Sequence, residues 1–186
     1  MVIDEKWLYK EPSPCRQNVR AWVGPHGDRP EVPRRIIADD KFHIIVACNF
    51  RGEHYFEILP RGQNINAERY IQFLTHLQEV RRRGHMTIMH DNARPHKAIM
   101  TEEFLRENGI ERIPQPPYSP DMNLLDRFIF RNMEAERRKV VFESLEAARK
   151  FVENYLQGFS HCLLTNELVK FRLDLQAIIQ AEGAYL

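Results

Sequence analysis

Three aspartates of this 186-residue chain, Asp4, Asp91 and Asp126, stand in settings that could do chemistry. Asp91 ends the apolar run Met86-Thr87-Ile88-Met89-His90 and leads straight into the turn-like Asn92-Ala93-Arg94-Pro95-His96. Asp126 closes the stretch Tyr118-Ser119-Pro120-Asp121-Met122-Asn123-Leu124-Leu125-Asp126, with thirty-four residues between it and Asp91. Asp4 follows Val2-Ile3 and opens Asp4-Glu5-Lys6-Trp7. Three carboxylates on a rigid scaffold can hold two divalent cations for phosphodiester chemistry. Taken singly, each has a plainer reading. Asp4 could be a surface acid, Asp91 could merely end a strand, and Asp126 could pair with Arg127 or Arg131.

The elements that must position these residues can be read from periodicity and punctuation. Residues 1–9 read as a strand that begins at the chain terminus, where strand ends fray. Residues 10–40, rich in proline, read as a long irregular insertion of the kind that is usually functional or disordered. Residues 42–50 and 53–59 read as two strands joined by a tight turn at Arg51-Gly52. Asn66 is a good N-cap for a helix carrying Tyr70, Ile71, Leu74 and Leu77 at helical spacing. Residues 86–90 form a fourth strand, and a helix through Met100, Phe104 and Leu105 stops at Asn108-Gly109. Residues 110–113 form a fifth strand, and the proline-rich 114–120 that follows suits neither helix nor central strand.

Ser119-Pro120 then reads as N-cap and first position of a helix. On it Met122, Leu125, Ile129 and Met133 share one face, with Asp126 inside that apolar stripe. A lone carboxylate there is costly to bury unless it binds a cation or partner. Two more helices are expected, at about 144–156 and 161–181. Antiparallel strands first and helical crossovers later make a mixed α/β pattern.

Bulk composition narrows the partners. Hydrophobic residues at 43% and charged residues at 28% are those of an ordinary globular chain. The longest apolar runs fall far short of a membrane span. With a net charge of +1, nucleic-acid binding would have to rest on local patches. Arg34-Arg35, Arg81-Arg82-Arg83 and Arg137-Arg138-Lys139 are such patches, read either as solvated faces or as phosphate contacts. Cys15, Cys48 and Cys162 are scattered and odd in number, which disfavours a zinc ribbon or disulfide framework and suits a reducing compartment.

The ordered blocks His90-Asp91-Asn92-Ala93-Arg94-Pro95-His96 and Pro116-Pro117-Tyr118-Ser119-Pro120-Asp121 resemble the catalytic domain of mariner-type transposases, the mariner/Tc1 superfamily. Asp4-Glu5-Lys6-Trp7, Trp22-Val23-Gly24-Pro25 and Ala67-Glu68-Arg69-Tyr70 look like further family blocks. The Asp91-to-Asp126 spacing, with Asp as third acid, matches the mariner branch. The resemblance covers nearly the whole chain. It implies a ribonuclease H-like α/β fold, a mixed five-stranded sheet flanked by helices, as a single DDE/D domain over residues 1–186 with its loop insertion at about 10–40.

It further implies a catalytic and metal-binding set of Asp4, Asp91 and Asp126 holding two Mg2+ ions, for which Mn2+ substitutes. The implied reaction is cleavage and strand transfer at transposon ends, on DNA, by a homodimer in the nucleus. His90, Asn92, Arg94 and His96 would stand behind the site or touch DNA. His90 and His96 could orient metal-bound water or meet a phosphate, or else satisfy loop backbone. Asn92 reads as a turn residue. Trp22 and Tyr118 are candidates for the loop and dimer contacts.

The chain also departs from the family pattern. The family's N-terminal helix-turn-helix region is not seen, Val2-Ile3 stands where relatives carry small residues, and Leu124 where a proline is common. The alternative reading is therefore an inactive relic or a domesticated DNA-binding or dimerisation module. Members of the family are also found fused to other modules, such as a histone-methyltransferase SET domain. A different ribonuclease H-like nuclease or integrase is the third reading, disfavoured by the Tyr118-Ser119-Pro120-Asp121 block.

Overall fold

The computed structural model describes residues 1–10, 41–81 and 85–183. The expected insertion at 10–40, and with it Trp22 and Arg34-Arg35, lies almost wholly outside the described residues, as do Arg82 and Arg83. Five strands form one sheet: β1 Val2–Tyr9, β2 Lys41–Cys48, β3 His54–Leu59, β4 Met86–His90 and β5 Ile110–Pro114, in the order β3-β2-β1-β4-β5. The three N-terminal strands pair antiparallel, and β4 and β5 add on parallel to β1. Parallel neighbours need a crossover. The crossovers are α1 (Ala67–Val80) before β4 and α2 (Ile99–Glu107) before β5.

Strand alternation sends side chains to two cores. Ile3, Ile45, Ala47 and Ile88 point to one face, where Tyr70, Phe73, Leu74 and Leu77 of α1 and Leu105 of α2 cover them. Full burial of each such side chain stabilises the fold by about 1.5–3 kcal/mol. Asn66 caps α1 as expected, its Oδ1 accepting the Arg69 N–H at 2.9 Å. Gly109 ends the α2 segment with φ +62°, a conformation that costs glycine little.

Val2, Leu8, Ile44, Val46, Cys48 and Ile58 point to the other face. Covering them are Leu124–Met133, Phe142, and the helices α4 (Leu145–Gln157) and α5 (His161–Gln180), close to the expected bounds. Ser144 and Ser160 cap these two helices through their hydroxyls. Among the described residues no helix is long and apolar enough to cross a membrane.

Three expectations need correction. The link between β2 and β3 is a wider loop than a two-residue turn. The Asn49 Oδ1 accepts from the backbone N–H groups of both Arg51 and Glu53, and Gly52 takes φ +88° inside that loop. Asp4 is not on a fraying end either. It pairs with Val46 within an eight-residue strand, and the terminal ammonium before it donates to the Thr87 carbonyl.

The third correction concerns the segment after Pro120, which is not one regular helix. A 3-10 turn, Pro120–Met122, gives way to a π-helical turn, Leu125–Phe130, and then to α3, Arg131–Arg137. Ser119 makes no side-chain cap. Met122 is therefore off the buried stripe, which consists of Leu125, Ile129, Phe130 and Met133. The wide π turn brings residues five apart to one side, and so turns Asp126 out of the stripe to its exposed border.

Candidate active site

Asp4 lies in the middle of the sheet, on β1, buried to 7% exposure. Its Oδ1 accepts the backbone N–H of Glu5 at 2.8 Å and its Oδ2 the side-chain amide of Asn123 at 3.1 Å. Asn123 is itself fully buried, and its Oδ1 accepts the Leu125 N–H that starts the π turn. One amide thus ties the segment carrying Asp126 to the strand carrying Asp4. The Asp4 and Asp126 carboxyl groups are close enough for each to act on the other's charge. Burial first, and then the Asp126 charge, pushes the Asp4 carboxyl up to about 9. Desolvation raises Asp126 as well, while Asp4 and Lys6 pull it back.

Asp91 follows the last residue of β4. Val2 and Met89 are partners in the parallel ladder, so Asp4 and Asp91 stand two residues further along the same two chains. Alternation puts both on the sheet face that Asp126 covers. Asp91 adds to the negative field at Asp126. The Asp91 Oδ1 accepts the Ala93 N–H at 2.9 Å and the His96 Nδ1–H at 2.8 Å. The His96 bond is the chief reason that Asp91 stays below the usual carboxylate range.

His96 has no exposed surface, and its Nε2 donates to the Glu5 carboxylate at 2.9 Å. Both ring nitrogens facing acceptors means that both carry protons. Burial opposes that charge, but the bonds to Asp91 and Glu5 overcome it and hold the ring up at about 10. His90 stacks on His96 at 4.6 Å between centroids and meets the Tyr70 hydroxyl at 2.6 Å. Burial, reinforced by the His96 charge, lowers His90 to about 3, so it stays neutral. Glu5, Asp91 and His96 offer ligand atoms within 4.8 Å of one another. There the imidazolium already supplies the cation between the two carboxylates.

Other expected residues fall into place around this centre. The Asn92 amide donates to the Gln115 carbonyl at 2.9 Å, which pins the loop after β4 to the loop after β5. Arg94 is exposed on the same loop. Tyr118 is wholly exposed and takes φ +54°. That left-handed conformation is uncommon for an aromatic residue. Arg127 does not pair with Asp126; it donates to Glu167 at 2.8 Å and to Asp174 at 2.6 Å, both on α5. Arg137 leaves its basic cluster for the core, where it is fully buried and donates to Glu134 and to the Tyr9 carbonyl.

Sequence reasoning missed Glu5, Tyr70 and Asn123. For Glu5 the only signal was its place one residue after Asp4, on the opposite face of the strand. For Asn123 it was a cap-forming residue type two places before the π turn.

A match to a family model says which family the chain belongs to. The sequence model of the DDE superfamily endonucleases matches residues 11–149. The chain belongs to this family. This DDE domain is similar to the Mariner Mos1 transposase of Drosophila mauritiana, at 27% identity over 192 residues, 98% of this chain and 55% of that protein. It is also similar to the human histone-lysine N-methyltransferase SETMAR, at 24% identity over 194 residues, all of this chain and 28% of that protein. The DDE domain thus spans about half or less of the curated relatives it matches.

In structure it superposes on the Mos1 mariner paired end complex with Mn, TM-score 0.82 at 25% identity, over all of this chain and 56% of that one. The catalytic domain of Mos1 mariner transposase gives a TM-score of 0.75 at 22% identity, over 100% of this chain and 83% of that chain, and bears on the fold alone. The five-stranded mixed sheet flanked by helices is accordingly ribonuclease H-like, and the likeness is to mariner-type transposase catalytic domains.

Proposed function

We propose that this chain is the catalytic domain of a mariner-like DNA transposase, acting in metal-dependent DNA strand cleavage and strand transfer at transposon ends. The observation that carries this reading is that Asp4 and Asp91, on neighbouring chains, share the sheet face covered by the segment carrying Asp126, where the Asp4 and Asp126 carboxyl groups act on each other's charge. Crowded carboxylates of this kind are costly without positive charge between them. An all-oxygen donor set suits Mg2+ or Mn2+. Asp4, Asp91 and Asp126 would hold two such ions. When bound, they would supply stabilisation of charge on the attacking and leaving oxygens of a phosphodiester.

The chain's own residues prepare that site. Asn123 holds Asp4 and the Asp126 segment together, and Asn92 holds the two loops around Asp91. Lys6, on the same strand as Asp4, adds a cation close enough to act on Asp126, and a phosphate arriving at the site would meet the same charge. Solved Mos1 assemblies are a transpososome, a strand transfer complex and paired-end complexes. By extension, we assign this chain a DNA partner, a homodimeric working form and a nuclear location.

The test is incubation with pre-nicked transposon-end DNA and Mg2+ or Mn2+, beside Asp91→Ala. Metal-dependent nicking or strand joining that the variant lacks supports the reading. Activity that survives in Asp91→Ala, or is absent from both, sinks it.

A further inference from the structure

Asp91 is only half-buried, and it lies just past the end of its strand. It follows β4, its side chain is 45% exposed, and it stands at the start of a loop. A two-cation centre tolerates misplacement of a ligand by only about 0.5 Å. What holds Asp91 is a pair of hydrogen bonds, from the Ala93 N–H and the His96 Nδ1–H, both to Oδ1. Both bonds go to Oδ1, and neither engages Oδ2.

His96 in turn is anchored from several sides. Its Nε2 meets Glu5 on β1, its ring lies against His90 and Tyr70, and its own N–H donates to the Ala93 carbonyl at 3.0 Å. The Pro95 carbonyl next to it accepts from Thr101 of α2 at 2.7 Å. Glu5 adjoins Asp4 in β1 but projects to the opposite face of the sheet. The contact therefore runs from one acid, through Glu5 and His96 behind the sheet, to the other.

We propose that His96, braced by Glu5, is a positioning residue that sets the Asp91 carboxylate relative to Asp4, so that Oδ2 is aimed at a divalent cation before the cation arrives. This rests on the reading of Asp4, Asp91 and Asp126 as the metal ligands. Residues that orient metal ligands change metal affinity by about 10–100-fold when removed.

Two amide substitutions separate positioning from mere packing. Asn at 96 places its amide nitrogen near the Nδ1 position and keeps the donor to Asp91. Gln places its nitrogen near Nε2 and keeps the donor to Glu5 only. Mn2+ binding is measured by titration calorimetry on the whole chain, with metal-free thermal unfolding alongside. We expect His96→Gln to bind Mn2+ at least about tenfold more weakly, and His96→Asn to recover most of that loss although the two unfold at similar temperatures.

Equal affinities for the two variants, or His96→Gln binding like the unsubstituted chain, would overturn the positioning role alone. Failure of the unsubstituted chain to bind Mn2+ would overturn the metal centre and the positioning role together. Should His96→Gln not fold, Glu5→Ala leaves the ring in place and removes its brace. A severalfold weaker Mn2+ affinity in that variant supports the role, and unchanged affinity overturns it.

Discussion

The buried side-chain amide of Asn123 donates to Asp4 Oδ2 at 3.1 Å, across a sequence separation of 119 residues. The same side chain accepts the Leu125 N–H with its oxygen. Asn123 is therefore the joint between the strand and the π turn, and through it the positions of Asp4 and Asp126 depend on each other.

Breaking that joint should cost both stability and activity. Asn123→Ala removes the hydrogen bond to Asp4 and leaves the Leu125 N–H without its acceptor. We predict a loss of about 1–3 kcal/mol in urea unfolding, with strand cleavage reduced by about tenfold or more. Wild-type stability and activity together would refute the joint.

Asp126→Asn should have opposite effects on stability and on metal response. Burial and then the Asp126 charge hold Asp4 high, so removing that charge relieves a cost of the metal-free fold. The predicted outcome is an unfolding temperature at or above that of the unsubstituted chain without metal, and loss of the rise that Mg2+ gives to the unsubstituted chain. A variant that is still stabilised by Mg2+ to the same degree would show that Asp126 is not a ligand.

Arg127 clips α5 to the segment that carries Asp126, through Glu167 and Asp174. Glu167 is buried to 7% exposure, and Lys170, at 3.9 Å, is a weaker partner for it. Arg127→Met is expected to destabilise the chain by about 1–3 kcal/mol and to hasten proteolytic cleavage within α5. If Arg127→Met and the double variant Arg127→Met with Glu167→Gln lose equal stability, the stranded carboxylate is not the cause.

The two described cysteines should differ in reactivity. Burial pushes the Cys48 thiol up to about 12 from an ordinary 9.0, whereas Cys162 is exposed on α5. At pH 8, alkylation followed by peptide mass mapping should find Cys162 modified and Cys48 protected until the chain unfolds. Because the folded state raises the Cys48 pKa, its contribution to stability is intact below pH 9 and is lost as pH rises through about 12. Labelling of Cys48 at the rate of Cys162 would contradict the packing of β2.

The strands and the two crossover helices were legible because their signals are local. Apolar runs mark β2 and β4, Asn66 caps α1, and Asn108-Gly109 closes α2. The acids at 4, 91 and 126 were legible because each ends or interrupts an apolar pattern. The π turn was not, because a period close to 3.6 fitted Met122 to Met133 well enough to hide its widening. Nor was the fate of Arg137, which looked like part of a solvated charge run and instead fills the core beside Tyr9 and Glu134.

By itself, then, the sequence determined the order of the strands and crossover helices, since patterning and turn residues act over a few positions, and put Asp4, Asp91 and Asp126 forward as candidates. Only the tertiary structure decided that Glu5, ninety-one residues away from His96, reaches it from behind the sheet. The same holds for Asn123 and Asp4. Hydrogen bonds between distant residues leave no periodic trace in the chain, because they form only where packing of the two cores brings the strand, the π turn and the loop after β4 together.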